Sequence, residues 1–476
     1  MSNDYDFFER KFNMKLILSV LSSALMKFTC IVVETSMNVT FPTLMKEFEV
    51  GTGMVQWCTT GYLLVLSIII PSSSFLIRRF RMKTLFVFAS VVFILGTVVC
   101  MIAPAFSIML LGRIIQGIGT GVSIPLMYNI ILTQAPYEKT GFLVGIASMI
   151  PGVGPAIGPF IGGFITLLWG WRMIFAFLMP LLAISLVFGI TCIRQSIITT
   201  RITMDKTGYL TIALCFVCLV FGINQAGQLG WLHPVVFVLY VSAAIFMFLF
   251  IRHSGHVSAP LIRLAIFRYK RYTLSLLSVI LFAAIALGIG FVLPNFGQIN
   301  ISLNTLQAGS LLLPGCALAA CMNPLAGRIY DKNGGGSLIK RTFLFSTLAL
   351  LLYAVLIDRS SFVLLTAIYF IFGIGMGCIN GMLITNGLQA LPDEIYADGN
   401  AVFNTLQQLF CAIGTVIASS IVAAAQTKTP QNIAAGTMTG SRTVFIVFFF
   451  LSIVIYLMIL KAVKRPANTI GYTNPD

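Results

Sequence analysis

The chain has 476 residues, of which 58% are hydrophobic and only 9% charged, whereas a soluble globular domain carries about 25% charged residues. That composition excludes a soluble protein. Thirty basic residues against fourteen acidic ones give a formal net charge of +16, but the bases lack the polar setting of a nucleic-acid surface, so no nucleic-acid partner is expected.

About 20 mainly apolar residues, rising 1.5 Å each, cross the roughly 30 Å hydrocarbon layer of a bilayer. Residues 1–15, MSNDYDFFERKFNMK, read as a tail, with acids ahead of a basic cluster and no small-residue cleavage site after the first apolar run; they are not a removable signal peptide. Runs of spanning length follow at 16–40, 54–73, 84–104, 106–132, 141–167, 170–193, 207–227, 232–251, 273–297, 306–326, 342–357, 361–387, 400–425 and 441–461. These predict an all-α integral membrane protein with fourteen transmembrane helices. The connectors are short, and barrel strands are too short to explain such runs. The ten cysteines fall in apolar segments, and the CxxC of Cys215 and Cys218 sits inside an apolar run. There a free cysteine packs as a small hydrophobe.

An even number of spans puts both termini on one side. Connectors on that side hold twenty-three Lys and Arg, and those opposite hold five, namely Lys46, Arg172, Arg359, Lys428 and Arg442. Because basic residues are retained in the cytoplasm during insertion, both termini are expected there, in a multi-pass protein of the cell membrane. Lys27 and Arg113 are left within spans.

The two ends of the chain match at a nearly constant offset. Pro42 pairs with Pro294 and Pro71 with Pro324; Gly117, Gly119 and Gly121 pair with Gly373, Gly375 and Gly377; Ala156, Ile157 and Gly158 pair with Ala412, Ile413 and Gly414. Spans 1 to 6 thus correspond to spans 9 to 14 in the same orientation, with spans 7 and 8 inserted. The expected divisions are a tail at 1–15, a six-helix bundle at 16–193, an inserted pair at 194–260, a second six-helix bundle at 261–462 and a tail at 463–476. Two parallel bundles facing each other describe a transporter that rocks around a central cavity.

Four motifs stand out. Span 5 carries GVGPAIGPFIGG, with Gly154, Pro155, Gly158, Gly162 and Gly163; glycine at these spacings lets a neighbouring helix approach closely, and the prolines remove backbone donors. Span 4 carries GRIIQGIGTG, whose Arg113 is a costly charge within hydrocarbon. The connector after span 10 reads GRIYDKNGG, with Gly327, Asp331, Lys332 and Gly334. Span 1 contains VETSMNVTFP, with Glu34, Thr35, Asn38 and Pro42. Together these motifs resemble the fourteen-helix drug:proton antiporters of the major facilitator superfamily, over nearly the whole chain. The resemblance implies the major facilitator fold, two six-helix bundles plus two inserted helices. It implies an antiporter motif in span 5, proton coupling at Arg113 and a conformational latch in the Asp331 loop. The first-half counterpart of that loop, SFLIRRFRMK, departs from the pattern: Ser74 replaces the first glycine and Arg78 stands where the acid belongs. The first-helix motif places an acid just before Thr35, as Glu34 is, or one position earlier, where this chain has Val33.

Of the fourteen acids only Glu34 lies deep in a span. Desolvation disfavours its charged form, which suits a carboxyl that takes up and releases protons. Lys27 lies two turns away on the same helix face, about 10.5 Å along the axis. It can pair with Glu34, favour anionic or zwitterionic substrates, or sit in a wet cavity. Polar residues within spans must face protein or water; Asn38, Asn295, Gln298, Asn380, Asn404, Gln407 and Gln408 are the candidates for a substrate cavity beside Glu34 and Lys27. Three histidines, His233, His253 and His256, lie in or beside loops without metal spacing, and no HExxH or Walker loop occurs.

The expectation is a proton-coupled multidrug efflux antiporter working by alternating access. It needs no cofactor beyond the proton gradient, is not an enzyme, and has amphipathic drugs, protons and membrane lipids as its partners while acting as a monomer. The rival readings are an exporter of a native metabolite, lipid or peptide, and a non-transporting membrane sensor.

Overall fold

The computed structural model describes residues 13–195, 204–257, 260–333 and 336–463, with side chains at all of these except 74, 132, 137–152, 324, 327–333, 336, 380, 393 and 397. The described residues form helices and contain no strand. In chain order the helices are α1 (Met14–Glu47), α2 (Thr52–Ser72, continued by Ser73–Arg79), α3 (Met82–Met101), α4 (Phe106–Gln134), α5 (Tyr137–Trp169), α6 (Arg172–Cys192) and α7 (Lys206–Leu229). They continue as α8 (Pro234–Ser254), α9 (Lys270–Asn300), α10 (Thr305–Ser310 running on as Leu313–Asn333), α11 (Gly336–Leu356), α12 (Phe362–Leu388), α13 (Asp393–Lys428) and α14 (Ile433–Ala462). Among the described residues 13 helices are long and apolar enough to cross a membrane, and the described apolar part of α5, Val153–Trp169, is shorter.

Local chemistry sets the helix ends. Asn13 accepts the Leu16 N–H, Asn432 accepts the Ala435 N–H, and Asn304 forms a reciprocal capping box with Gln307, each satisfying an orphan donor of a first turn. Gly170 (φ 86°) and Gly230 (φ 93°) end α5 and α7 in a region that side chains disfavour. The helices outrun their apolar windows. Span 13, expected at 400–425, is the helix Asp393–Lys428, and span 11, expected at 342–357, is Gly336–Leu356. Helical hydrogen bonding continues past the hydrocarbon limit that hydropathy detects.

Packing reproduces the repeat. In the first half α1 packs on α4, α5 and α6, α3 on α4 and α6, α2 on α4, and α5 on α6. The second half has the same set, with α9 on α12, α13 and α14, α11 on α12 and α14, α10 on α12, and α13 on α14. The halves meet through α2 with α13, α5 with α10, and α1 with α9. Exchanging the repeats maps the first two contacts onto each other and the third onto itself, the signature of a pseudo-two-fold axis between α1 and α9. The inserted α7 and α8 pack on one another, and α7 seats against α13 and α2. Below, the terminal face is the one bearing the start of α1 and the end of α14, and the distal face is the opposite one.

On the terminal face Asp205 ties the inserted pair to the second half. It accepts the Gly208 N–H at 2.9 Å, faces His253 Nε2 at 2.7 Å and accepts the Leu261 N–H at 3.4 Å. Burial pushes its carboxyl up, but the Gly208 N–H, His253 and Leu261 contacts outweigh that and hold it below the usual aspartate range. His253, expected in a solvated connector, is therefore in the last turn of α8 and partnered.

Candidate transport site

The glycines of the GVGPAIGPFIGG stretch fix how closely α5 approaches α1. A Cβ at Gly154 would overlap Ile31, one at Gly158 would overlap Thr35 Oγ1, and one at Gly162 would come within 2.8 Å of the Ser36 carbonyl oxygen. Ser36 Oγ donates to the Gly158 carbonyl at 2.7 Å. Pro155 lies half-buried in this stripe. Gly163 instead meets Thr305 of α10, whose hydroxyl donates to the Gly163 carbonyl at 3.0 Å. One stripe of small residues thus brings α5 against α1 in its own half and against α10 in the other.

Glu34 lies in the part of α1 clamped by that stripe. Ala24, Leu25, Phe28, Ile31 and Glu34 keep partial exposure on α1, whereas residues 35–41 are all buried. The partly exposed strip therefore runs from the terminal side of α1 and stops at Glu34. The carboxyl accepts no hydrogen bond from the described residues, and no ion pair within 4.0 Å joins it to a described base. Its charge nevertheless reaches Arg113 and Tyr62 in the first half and Cys411 of α13 in the second.

Arg113 is fully buried in α4. Its Nε donates to the Cys58 carbonyl at 2.7 Å, its Nη1 to Gln116 Oε1 at 2.7 Å, and its guanidinium carbon lies 4.4 Å from the centroid of the Tyr62 ring. Gln116 is held by Thr97 at 2.9 Å, and Tyr62 donates to Thr120 at 2.9 Å. The remaining guanidinium nitrogen, Nη2, is buried and has no partner among the described residues. Such an orphaned donor is costly unless it gains an acceptor in some functional state.

Beyond Glu34 a polar seam closes the distal half. Thr52 donates to Gln426 Oε1 at 2.8 Å, Gln426 Nε2 donates to Thr437 at 2.8 Å, and the Thr60 and Thr415 hydroxyls meet at 3.0 Å. Thr60 also bonds Gln56, and Thr59 donates to Asn38 Oδ1 at 2.8 Å. Gln298 Nε2 donates to the Val39 carbonyl at 2.8 Å, joining α9 to α1. Among the described residues, the side-chain hydrogen bonds joining the two bundles all lie in the distal half. Asn295 is also distal, lining a small cavity with Thr52, Gln426, Thr437 and Ser441.

The sequence candidates thus divide. Asn38, Asn295 and Gln298 belong to the seam, while Asn404, Gln407 and Gln408 are half-buried on α13 on the terminal side of Cys411. Lys27 does not pair with Glu34; its Nζ donates to Tyr128 Oη at 3.1 Å. The side chains of Asn380, Gly327, Asp331 and Lys332, and all of Gly334, lie outside the described residues. Tyr62, Gln116, Tyr128 and the seam threonines were missed by sequence reasoning. For the seam a signal existed: Thr52, Gln56, Thr59 and Thr60 recur at i, i+4, i+7 and i+8. No cluster of metal-ligating side chains occurs among the described residues.

The family model described as Major Facilitator Superfamily matches residues 23–415. This chain belongs to the major facilitator superfamily. Lincomycin resistance protein LmrB of Listeria monocytogenes is 33% identical over 86% of this chain and 88% of its own length. LmrB of Bacillus subtilis is 34% identical, with 87% and 86% covered. Riboflavin transporter RibZ of Clostridioides difficile is 23% identical, with 81% and 84% covered. Among solved structures, peptide transporter POT in complex with sulfate superposes with a TM-score of 0.67 at 15% identity, covering 97% of each chain. A D-xylose-proton symporter gives a TM-score of 0.65 at 14% identity over 94% of this chain and 97% of its own. The two structures share the superfamily fold, and the protein is a multi-pass membrane transporter.

Proposed function

We propose that this facilitator exports small amphipathic compounds in exchange for protons, with Glu34 as the exchanging carboxyl. One observation carries the reading. The single acid deep in the spans ends the partly exposed strip of α1 without a partner among the described residues, and its charge reaches a buried arginine whose Nη2 has no acceptor among them. A proton on Glu34 weakens that attraction, and its loss restores it, so protonation and the arrangement of α1 and α4 are linked. A cationic group bound at Glu34 competes with the proton for the same charge, which is the minimum requirement for exchange. The lincomycin-resistance relatives support drugs as substrates.

The distribution of Lys and Arg supports a cytoplasmic terminal face. On that orientation the partly exposed strip of α1 leads from the cytoplasmic side to Glu34 and the polar seam closes the outside, an arrangement suited to loading from within. One proton entering down the potential yields about 2.3 kcal/mol per 100 mV, enough for a useful gradient of neutral drug.

The test uses everted vesicles and a fluorescent amphipathic amine. Glu34→Gln is expected to abolish proton-driven uptake while the protein remains in the membrane at wild-type levels. Uptake that persisted unchanged, still dissipated by a protonophore, would remove Glu34 from the coupling step.

A further inference from the structure

Lys27 is not used by the exchange mechanism. It is 3% exposed, its ammonium lies 4.5 Å from the centroid of the Tyr128 ring, and its one hydrogen bond among the described residues goes to the neutral Tyr128 hydroxyl at 3.1 Å. No carboxylate of the described residues lies within ion-pair distance. Burying an ammonium without a counter-charge is unfavourable, and a phenol offsets only part of that cost.

The charge balance of the interior sharpens the point. Lys27 and Arg113 bring two positive charges into the first bundle and Glu34 brings one negative. The surplus is one positive charge when Glu34 is ionised and two when it is protonated. A carboxylate is attracted by this surplus in both states, whereas a cationic group is attracted only at ionised Glu34.

Position supplies the rest. Lys27 precedes Glu34 by seven residues on one face of α1, about 10.5 Å along the axis, on the terminal side from which the accessible strip runs. Tyr128 is half-buried on α4, so this pair is not sealed within the packing on both sides. Between the two charges the strip offers Phe28 and Ile31, apolar and partly exposed.

We infer that Lys27 and Tyr128 form an anion subsite, and that the preferred substrates are amphipathic zwitterions whose carboxylate sits on this pair while their cationic end faces Glu34. The assignment rests on the export reading above and names its substrate class.

The test is equilibrium binding by fluorescence anisotropy to the purified full-length protein in detergent. The probes are a zwitterionic rhodamine with a free carboxylate and its cationic methyl ester. Wild type is expected to bind the acid about tenfold more tightly than the ester, and Lys27→Met to erase that preference while changing ester affinity by less than about twofold. Ester binding serves as the control for folding, and Lys27→Arg should retain the preference for the acid. Equal or weaker binding of the acid by wild type overturns the subsite, as does a preference that survives in Lys27→Met or loss of both probes together. Because no proton gradient is present, these outcomes are separate from the Glu34→Gln export assay, which tests the coupling reading.

Discussion

At the scale of single residues, the membrane makes charge legible and neutral polarity obscure. Glu34, Lys27 and Arg113 stand out because each interrupts an apolar run at an energetic cost that demands a reason. Gln116, Tyr62 and Tyr128 do not, since a neutral polar side chain at a helix interface is commonplace, and only the fold shows that two of them surround the arginine and the third the lysine. Gln116 is the more consequential support of Arg113, accepting from Nη1 at 2.7 Å. Replacing it with leucine leaves two guanidinium nitrogens buried without acceptors, where removal of one partner of a buried donor costs about 1–3 kcal/mol, and more for a charged group. Gln116→Leu is therefore expected to lower stability by about 2 kcal/mol or more. Thr97→Val, which removes only the acceptor for Gln116 Nε2 at 2.9 Å, should cost about 1 kcal/mol. Denaturant unfolding of both variants in detergent measures the difference. Equal losses would mean that the arginine is held by Cys58 and Tyr62 alone.

At the scale of elements, long apolar runs reveal that helices exist, while their ends and partners depend on contacts that hydropathy does not encode. The extension of α13 to Asp393 and the pairing of His253 with Asp205 are both of this kind. The glycine stripe of α5 was readable as a close approach, though not what it approaches. The structure ranks its members. At Gly154 the obstacle is the Ile31 side chain, which can change rotamer, whereas at Gly162 it is backbone, with the Ser36 carbonyl oxygen at 2.8 Å and Cα at 2.9 Å. Gly162→Ala should therefore force α5 off α1 beside Glu34, costing about 1–3 kcal/mol as other overpacked interfaces do. Gly154→Ala should cost less than about 1 kcal/mol. Export by everted vesicles at matched membrane levels is expected to be lost in Gly162→Ala and largely kept in Gly154→Ala, and the reverse order would show that the stripe acts through something other than helix approach.

At the scale of the whole molecule, the repeat in the sequence carries the architecture further than any single motif. Matching prolines and glycines at a nearly constant offset implied two like bundles, and the contacts of α2 with α13 and of α5 with α10 are the two images that such a repeat requires. The conformation was not legible, because it depends on which half of the interface is closed, and that is decided by the seam. Its bonds join small hydroxyl and amide side chains, each worth about 1 kcal/mol against water, so the seam can open without exposing a large apolar surface. Gln426 is its outermost joint, bonded to both Thr52 and Thr437 at 2.8 Å. Of these only the Thr52 bond crosses between the bundles, so Gln426→Ala is expected to shift the balance toward a distal-open state by about 1 kcal/mol, close to fivefold in the equilibrium constant. A cysteine placed at Ser441, which lines the small cavity beside Gln426 and is 1% exposed, reports that opening. Its labelling by a membrane-impermeant maleimide applied to intact cells should be slow in the otherwise wild-type protein and faster by about fivefold when Gln426→Ala is added. The parent without the introduced cysteine corrects for the native thiols. Unchanged labelling, with export also unchanged, would place the distal seal in the apolar packing of α9 against α1 instead of in the hydrogen bonds between α2 and α13.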